Sequence, residues 1–145
     1  MPLARYHQYA QGVQVLVAAT VDDSPSWRTL VQTIAAEGRV YVIAVCQHFA
    51  RSQFPDEQLL SGFSAETDGL SGGGSMIVAP GGEVLAGPLE SGEGVLIAEV
   101  DLDRVIREKH SLDVTGHYAR PDVFQLTVNE TPELPYKRSF AFEGG

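Results

Sequence analysis

Two apolar segments of strand length, separated by a helical pattern, constrain the fold of this 145-residue chain most strongly. Residues 13–19 and 40–45 are nearly continuous apolar runs rich in β-branched residues, which predicts two strands buried on both faces. Residues 27–37, between them, place apolar side chains on one helix face, and Ser24 or Ser26 can cap that helix. A strand, a helix and a strand in this order predict a parallel pair with a right-handed crossover, and hence an α/β fold.

The same patterns predict the other elements of the chain. They are a helix over residues 2–11, a hairpin of strands 75–79 and 83–86, a strand over 94–100, a helix from 101 to about 109 and a β-rich piece over 123–128. Leu102, Val105 and Ile106 are expected on the inner face of the last helix. Residues 49–74 predict a long loop with one helical turn near residues 56–60, and loops of this length usually serve a function or move.

Composition excludes several classes of protein. Nineteen Asp and Glu residues against ten Lys and Arg give a net charge of −9, which argues against binding to nucleic-acid phosphates. One cysteine excludes a disulfide framework and a cysteine-rich zinc module. No apolar run reaches the roughly 18 residues of a membrane helix, and the first residues lack the apolar core of a signal peptide. The expectation is a soluble cytoplasmic protein with neither a membrane nor a nucleic-acid partner.

Cys46 is the one candidate nucleophile, because it is the only cysteine. His48 lies two residues on and would share its strand face. A nucleophilic thiol needs a lowered pKa and some exposure, whereas free cysteines are among the most buried residues. The position at the end of an apolar strand favours a structural role for Cys46.

Asp22 and Asp23 follow the first predicted strand, and sheets of this class place ligand-binding groups at the carboxyl ends of such strands. The alternative, which we favour for at least one of them, is capping of the helix that starts near Trp27. Trp27 itself is expected to anchor a core or an interface.

The spacing of residues in the sequence supports neither a metal site nor a phosphate-binding loop. The histidines show no close metal-ligand spacing; they are His7, His48, His110 and His117. The Gly-Gly-Gly-Ser run at 72–75 lacks the Lys-Ser/Thr ending of a phosphate loop and precedes a strand. We therefore expect no metal site, and a glycine-rich approach to the hairpin.

Several motifs together resemble the nitrilase family. Residues 73–88 contain Gly-Gly-Ser, a strand and Pro-Gly-Gly-Glu-Val-Leu-Ala-Gly-Pro, and residues 116–130 begin Gly-His-Tyr-Ala-Arg-Pro-Asp; both resemble nitrilase signatures. Residues 27–47 resemble the helix and strand that follow the nucleophile loop, and residues 51–57 resemble an insert of true nitrilases. Gly72 departs from the arginine often found there.

The resemblance implies half of a four-layer α-β-β-α sandwich: a mixed sheet with helices on one face. Residues 1–132 would form the C-terminal half of a carbon–nitrogen hydrolase domain, and residues 133–145 a peripheral tail. Such a half leaves the inner face of its sheet uncovered, and an apolar face of that size is an interaction site. The implied partner is a second copy, in a homo-oligomer, or an N-terminal nitrilase half.

The family hydrolyses nitriles to a carboxylic acid and ammonia with a Glu-Lys-Cys triad and without a cofactor. Met-Pro-Leu-Ala-Arg at residues 1–5 resembles the helix directly after the nucleophile, so no residue here matches the triad and no catalytic residue is assigned. Thr20, Val21 and Asp22 match the strand end near the family's pocket and are the implied substrate-binding residues.

Four functions stay open at this point. The chain is inactive alone, or it is one subunit of a split nitrilase completed by an N-terminal partner, and only then binds a nitrile. It could instead be a non-catalytic oligomerisation module, or carry a separate thiol activity on Cys46 and His48.

Overall fold

The computed structural model describes residues 1–54 and 69–130. The elements are α1 (Pro2–Ala10), β1 (Val15–Thr20), α2 (Pro25–Gly38), β2 (Tyr41–Cys46), β3 (His48–Ala50), a 3₁₀ turn (Arg51–Gln53), β4 (Gly69–Gly72), β5 (Ser75–Val78), β6 (Val84–Leu89) and α3 (Leu102–Ser111). In these ranges no helix is long and apolar enough to cross a membrane.

The main sheet is mixed, with the strand order β1-β2-β5-β6. β1 and β2 are parallel in an unbroken register from Val15 opposite Tyr41 to Thr20 opposite Cys46, which confirms the predicted strand-helix-strand unit. β5 pairs antiparallel with both β2 and β6, so the predicted hairpin is also confirmed. β3 and β4 form a separate two-stranded sheet at the two ends of the segment 49–74, so the prediction of a continuous loop there was wrong at these strands.

α2 begins after Ser24, one of the two caps that the sequence predicts. The Ser24 hydroxyl accepts a hydrogen bond from the Trp27 N–H at 3.2 Å, and Pro25 occupies the first turn. Gly38 is the last helical residue, and Arg39 closes the helix in the left-handed conformation with φ 50°. The Tyr9 ring of α1 lies against the face of Gly38 where a side chain would project, so α1 and α2 pack closely.

The main core lies between the two helices α1 and α2 and one face of the sheet. Its buried members are Tyr9, Val31, Ile34, Ala35, Val40, Val42, Ala44, Met76 and Val78, and Trp27 packs against them while partly buried. The Tyr9 hydroxyl donates a hydrogen bond to the Ile34 carbonyl at 3.3 Å, which joins the two helices. The mixed sheet with these helices on one face matches the expected half of a sandwich.

The opposite face of the sheet is uncovered along β1 and at the end of β2. Val17 is 65% exposed in β1 and Val45 is 45% exposed in β2. The prediction that both strands are buried on both faces was therefore wrong at these two positions, because α1 and α2 cover only the other side of the sheet. α3 covers one end of the open face: the Tyr41 hydroxyl donates to the Asp101 carbonyl at 3.1 Å, and Val105 packs with Tyr41.

The structure corrects other predictions from the sequence. Residues 94–100 and 123–128 are not strands, because the described residues provide no ladder partner for either. On α3 only Val105 is buried, and Leu102 and Ile106 are 45% and 59% exposed. The helical turn near 56–60 and the tail at 133–145 lie outside the described residues.

Candidate functional site

The carboxyl ends of the parallel strands β1 and β2 meet at Thr20 and Cys46, which are register partners. The Thr20 hydroxyl accepts a hydrogen bond from the Asp22 N–H at 2.9 Å, and the Asp22 carboxylate accepts one from the Ser24 N–H at 2.9 Å. Hydrogen bonds from the Ser24 hydroxyl and N–H hold the pKa of Asp22 below its usual value. Val21, between them, is 66% exposed. The three implied substrate-binding residues thus form an ordered, accessible rim at the sheet end.

Asp23 connects this rim to the segment before β5. Its Oδ2 accepts a hydrogen bond from the Gly72 N–H at 2.6 Å, across 49 positions of sequence. Arg28 donates to the Asp23 carbonyl at 3.4 Å and forms an ion pair with Glu90. The prediction that one of the aspartates caps α2 was wrong, because the N-cap residue is Ser24. The two carboxylates accept hydrogen bonds from the backbone N–H groups of Ser24 and Gly72 instead. Sequence patterns contain no signal for the Asp23–Gly72 contact.

Cys46 is held inside this end of the sheet. Its residue is 8% exposed, and its thiol points at the Asp22 carbonyl, with 3.6 Å from Sγ to oxygen. The Ser75 hydroxyl accepts from the Cys46 N–H at 3.0 Å and lies 3.1 Å from the Cys46 carbonyl, to which it donates. Burial raises the pKa of the Cys46 thiol, the reverse of what a nucleophile requires. β2 ends at Cys46, and His48 begins β3, so the two do not share a strand.

The glycine run shapes the approach to β5. Gly73 has φ 79°, and a Cβ added there would lie 2.9 Å from the Leu89 carbonyl oxygen. The Gly74 N–H donates to that same carbonyl at 2.6 Å. The run leads into a strand rather than a helix, as expected, so it does not present the N–H cradle of a phosphate loop.

A second concave region, a groove, lies elsewhere on the molecule. It encloses about 740 Å³ between α1 and residues 114–126, and is lined mainly by apolar side chains such as Leu3 and Phe124. No group of three or more His, Cys, Asp or Glu residues able to hold a metal occurs within residues 1–54 and 69–130. We place the candidate site at the sheet end because polar side chains and backbone groups are joined there by hydrogen bonds, whereas the groove is lined mainly by apolar side chains.

Comparison with known proteins identifies relatives over most of the chain. The family model for carbon–nitrogen hydrolase matches residues 1–109. A nitrilase of Bradyrhizobium diazoefficiens is 48% identical over 134 residues, and an arylacetonitrilase of Trametes versicolor is 46% identical. These matches cover 92% and 91% of this chain but 41% and 42% of the relatives. The chain therefore spans about two-fifths of the length of the curated relatives that it matches.

Solved structures agree on the fold. The crystal structure of the C. elegans NitFhit protein superimposes with a TM-score of 0.68 at 27% identity, covering 93% of this chain and 30% of that one. A carbon–nitrogen hydrolase from Helicobacter pylori gives a TM-score of 0.64 at 21% identity, over 84% and 43% of the two chains.

Proposed function

The chain belongs to the carbon–nitrogen hydrolase family, and from that premise we propose that it forms the C-terminal part of a nitrile-hydrolysing site. In this role the Thr20, Val21 and Asp22 rim is one wall of the substrate pocket. The reaction is the hydrolysis of a nitrile to a carboxylic acid and ammonia. Relatives named as nitrilases, at 48% and 44% identity, support this choice among the reactions of carbon–nitrogen hydrolases.

We further propose that these 145 residues are inactive alone, and the surroundings of the Cys46 thiol support this. Attack on a nitrile carbon needs a thiolate with a neighbouring base and a group that stabilises the developing charge. The single thiol is buried, faces a backbone carbonyl and has a raised pKa. We therefore assign the nucleophile, the base and the cation to residues outside these 145, on the same polypeptide or on a separate N-terminal partner.

Ammonia release from a panel of aliphatic and aromatic nitriles tests this proposal. We expect no release from the purified chain, and no difference between the wild type and Cys46→Ser. We expect release once the chain is co-expressed with the unmatched remainder of the Bradyrhizobium relative. Release by the chain alone that is lost in Cys46→Ser would overturn the proposal and make Cys46 the nucleophile.

Two variants of the completed assembly test whether the rim is a wall of the substrate pocket. Asp22→Ala removes the carboxylate that accepts from Ser24, so the rim loses its ordered conformation and KM should rise. Asp113→Ala removes a carboxylate with a similar local role, accepting from the Thr115 N–H, at a distance in sequence from the rim. It should leave KM unchanged.

The open sheet face supports a second candidate, a non-catalytic oligomerisation module. Val17 and Val45 expose apolar surface that a second copy or another partner would cover. Sedimentation of the purified chain tests this second candidate. If it is correct, we expect a stable homo-oligomer of the chain, with no ammonia release after an N-terminal partner is added.

A reducing compartment suits a chain with one unpaired cysteine, so we propose a cytoplasmic location for either function.

A further inference from the structure

Arg28 connects three segments that meet at the carboxyl end of the sheet. Its guanidinium donates a hydrogen bond to the Asp23 carbonyl at 3.4 Å and forms an ion pair with the Glu90 carboxylate, 62 positions away. It also lies against Gly74, where an added Cβ would be 3.4 Å from the Arg28 Nε. The loop after β1, the glycine run before β5 and the residue after β6 therefore share one cation.

Two backbone contacts join the same three segments. The Gly72 N–H donates to the Asp23 carboxylate at 2.6 Å, and the Gly74 N–H donates to the Leu89 carbonyl at 2.6 Å. The glycine run is thus held between the loop after β1 and the end of β6. These are the two segments that Arg28 joins through its side chain, so a change at Arg28 acts on the whole junction.

The position of Arg28 in its helix indicates that these contacts are the reason for an arginine here. Arg28 is the fourth residue of α2, whereas the helix dipole favours cations near the other end. Its side chain is 26% exposed, and that of Glu90 is 61% exposed. Ion pairs so open to water contribute little to folding stability, but the planar guanidinium fixes the direction of its partners. We therefore expect the pair to act on local geometry more than on stability.

We propose that Arg28 is a positioning residue for the nitrile pocket, and that its ion pair with Glu90 holds the rim in place. It acts through the carbonyl of Asp23, which directly follows the rim residue Asp22. In this role, which rests on the function proposed above, Arg28 touches neither the substrate nor the reacting atoms. The nucleophile, the base and the cation are assigned outside these 145 residues, so Arg28 governs substrate binding and not the chemical step.

Kinetics of the completed assembly with phenylacetonitrile test this role. We expect Arg28→Met to raise KM at least about fivefold and to change kcat by less than about twofold. Arg28→Lys keeps the charge but not the planar donor geometry, so its KM should lie between those of the wild type and Arg28→Met. Arg104→Met is the matched control, because Arg104 forms an ion pair of similar exposure with Glu83, away from the rim. It should leave KM unchanged.

Charge reversal and salt separate positioning from a general structural role. Arg28→Glu and Glu90→Arg should each raise KM, and the double variant should recover most of the loss because the pair forms again with opposite charges. Raising NaCl from about 0.05 M to about 0.5 M should increase the KM of the wild type but not of Arg28→Met, since salt screens an exposed pair. An unchanged KM in Arg28→Met, an equal increase in Arg104→Met, or no recovery in the double variant would overturn the proposal.

Backbone amide NMR signals of the purified chain give a readout that needs no activity. The Asp22 N–H is bonded to the Thr20 hydroxyl and the Gly72 N–H to the Asp23 carboxylate, so both signals report the geometry of the rim. Arg28→Met should shift both signals, and Arg104→Met neither. Unshifted signals in Arg28→Met would overturn the positioning role whatever the activity. Shifted signals without ammonia release from any assembly would keep the contact between the segments, but would overturn the proposed function and the role in substrate binding.

Discussion

The thiol of Cys46 and the carbonyl of Asp22 face each other at 3.6 Å, which joins the end of β2 to the loop that follows β1. The two residues are 24 positions apart, and the contact buries the only sulfhydryl of the chain beneath the candidate rim.

Cys46 should consequently react slowly with thiol reagents. A buried thiol with a raised pKa supplies little thiolate near neutral pH, so we expect modification by a chromogenic disulfide to be at least about tenfold slower in the folded than in the unfolded chain. The rate before and after adding urea gives the comparison. Equal rates would mean that Cys46 is accessible and would reopen its assignment as a nucleophile.

The Asp23–Gly72 hydrogen bond should stabilise the junction between the rim and β4. Asp23→Ala leaves the Gly72 N–H without its carboxylate acceptor, and we expect the free energy of unfolding to fall by about 1–2 kcal/mol. Asp23→Asn retains an acceptor oxygen and should lose less. Urea titration of both variants gives the values, with Glu93→Ala as an exposed acidic control. Identical losses for alanine and asparagine would show that the acceptor oxygen does not matter.

Gly38→Ala should separate α1 from α2. A methyl group at Gly38 would overlap the Tyr9 ring, and overpacking of this kind costs roughly 1–3 kcal/mol. The same substitution in a Tyr9→Leu background should cost less, because the smaller side chain leaves room. A thermodynamic cycle of the four proteins measures the difference. Additive effects would contradict the contact.

Gly73→Ala should be more damaging than Gly92→Ala. Both glycines have positive φ, at 79° and 74°, so both substitutions carry a conformational cost of order 1 kcal/mol. Only at Gly73 does the new Cβ also approach a backbone atom, the Leu89 carbonyl oxygen at 2.9 Å. Thermal unfolding should show the larger decrease in Tm for Gly73→Ala. Equal decreases in Tm would mean that the backbone strain at positive φ accounts for the loss and that the contact with the Leu89 carbonyl oxygen adds nothing.

Asp101 should make α3 sensitive to acid. Its hydrogen bond with the Arg107 guanidinium, at 2.6 Å, is the main reason that its pKa lies below the ordinary value. A carboxylate with a lowered folded-state pKa stabilises the fold above its unfolded pKa, about 3.9, and that contribution is lost as the pH falls through the folded value. Stability measured between pH 7 and pH 2.5 should therefore decline less steeply in Asp101→Asn. Arg107→Gln should flatten the curve in the same way, and an unchanged slope in both would rule out this ion pair as the cause.

Local chemistry in the sequence determined the elements and part of their arrangement. Two serines around a proline, followed by an amphipathic stripe, limited the start of α2 to two caps, and Ser24 is the one used. Two apolar runs around that helix predicted a parallel pair, which β1 and β2 form in continuous register. The helix start and the strand pair depend on residues that are close in sequence, so a sequence pattern can predict them. The family motifs further predicted half of an α-β-β-α sandwich, and the similar solved structures support that fold.

The tertiary structure alone decided which surfaces are covered and which polar groups meet. An apolar run such as residues 13–19 contains no information on how many layers pack against it, so the exposure of Val17 could not be predicted. Residues 94–100 have a strand pattern, but a strand exists only where another backbone supplies its hydrogen bonds. The carboxylate of Asp23 finds the Gly72 N–H across 49 residues because the sheet brings β1 near the segment before β5. Contacts of this kind arise from chain topology, which places distant residues together, rather than from the residues beside them.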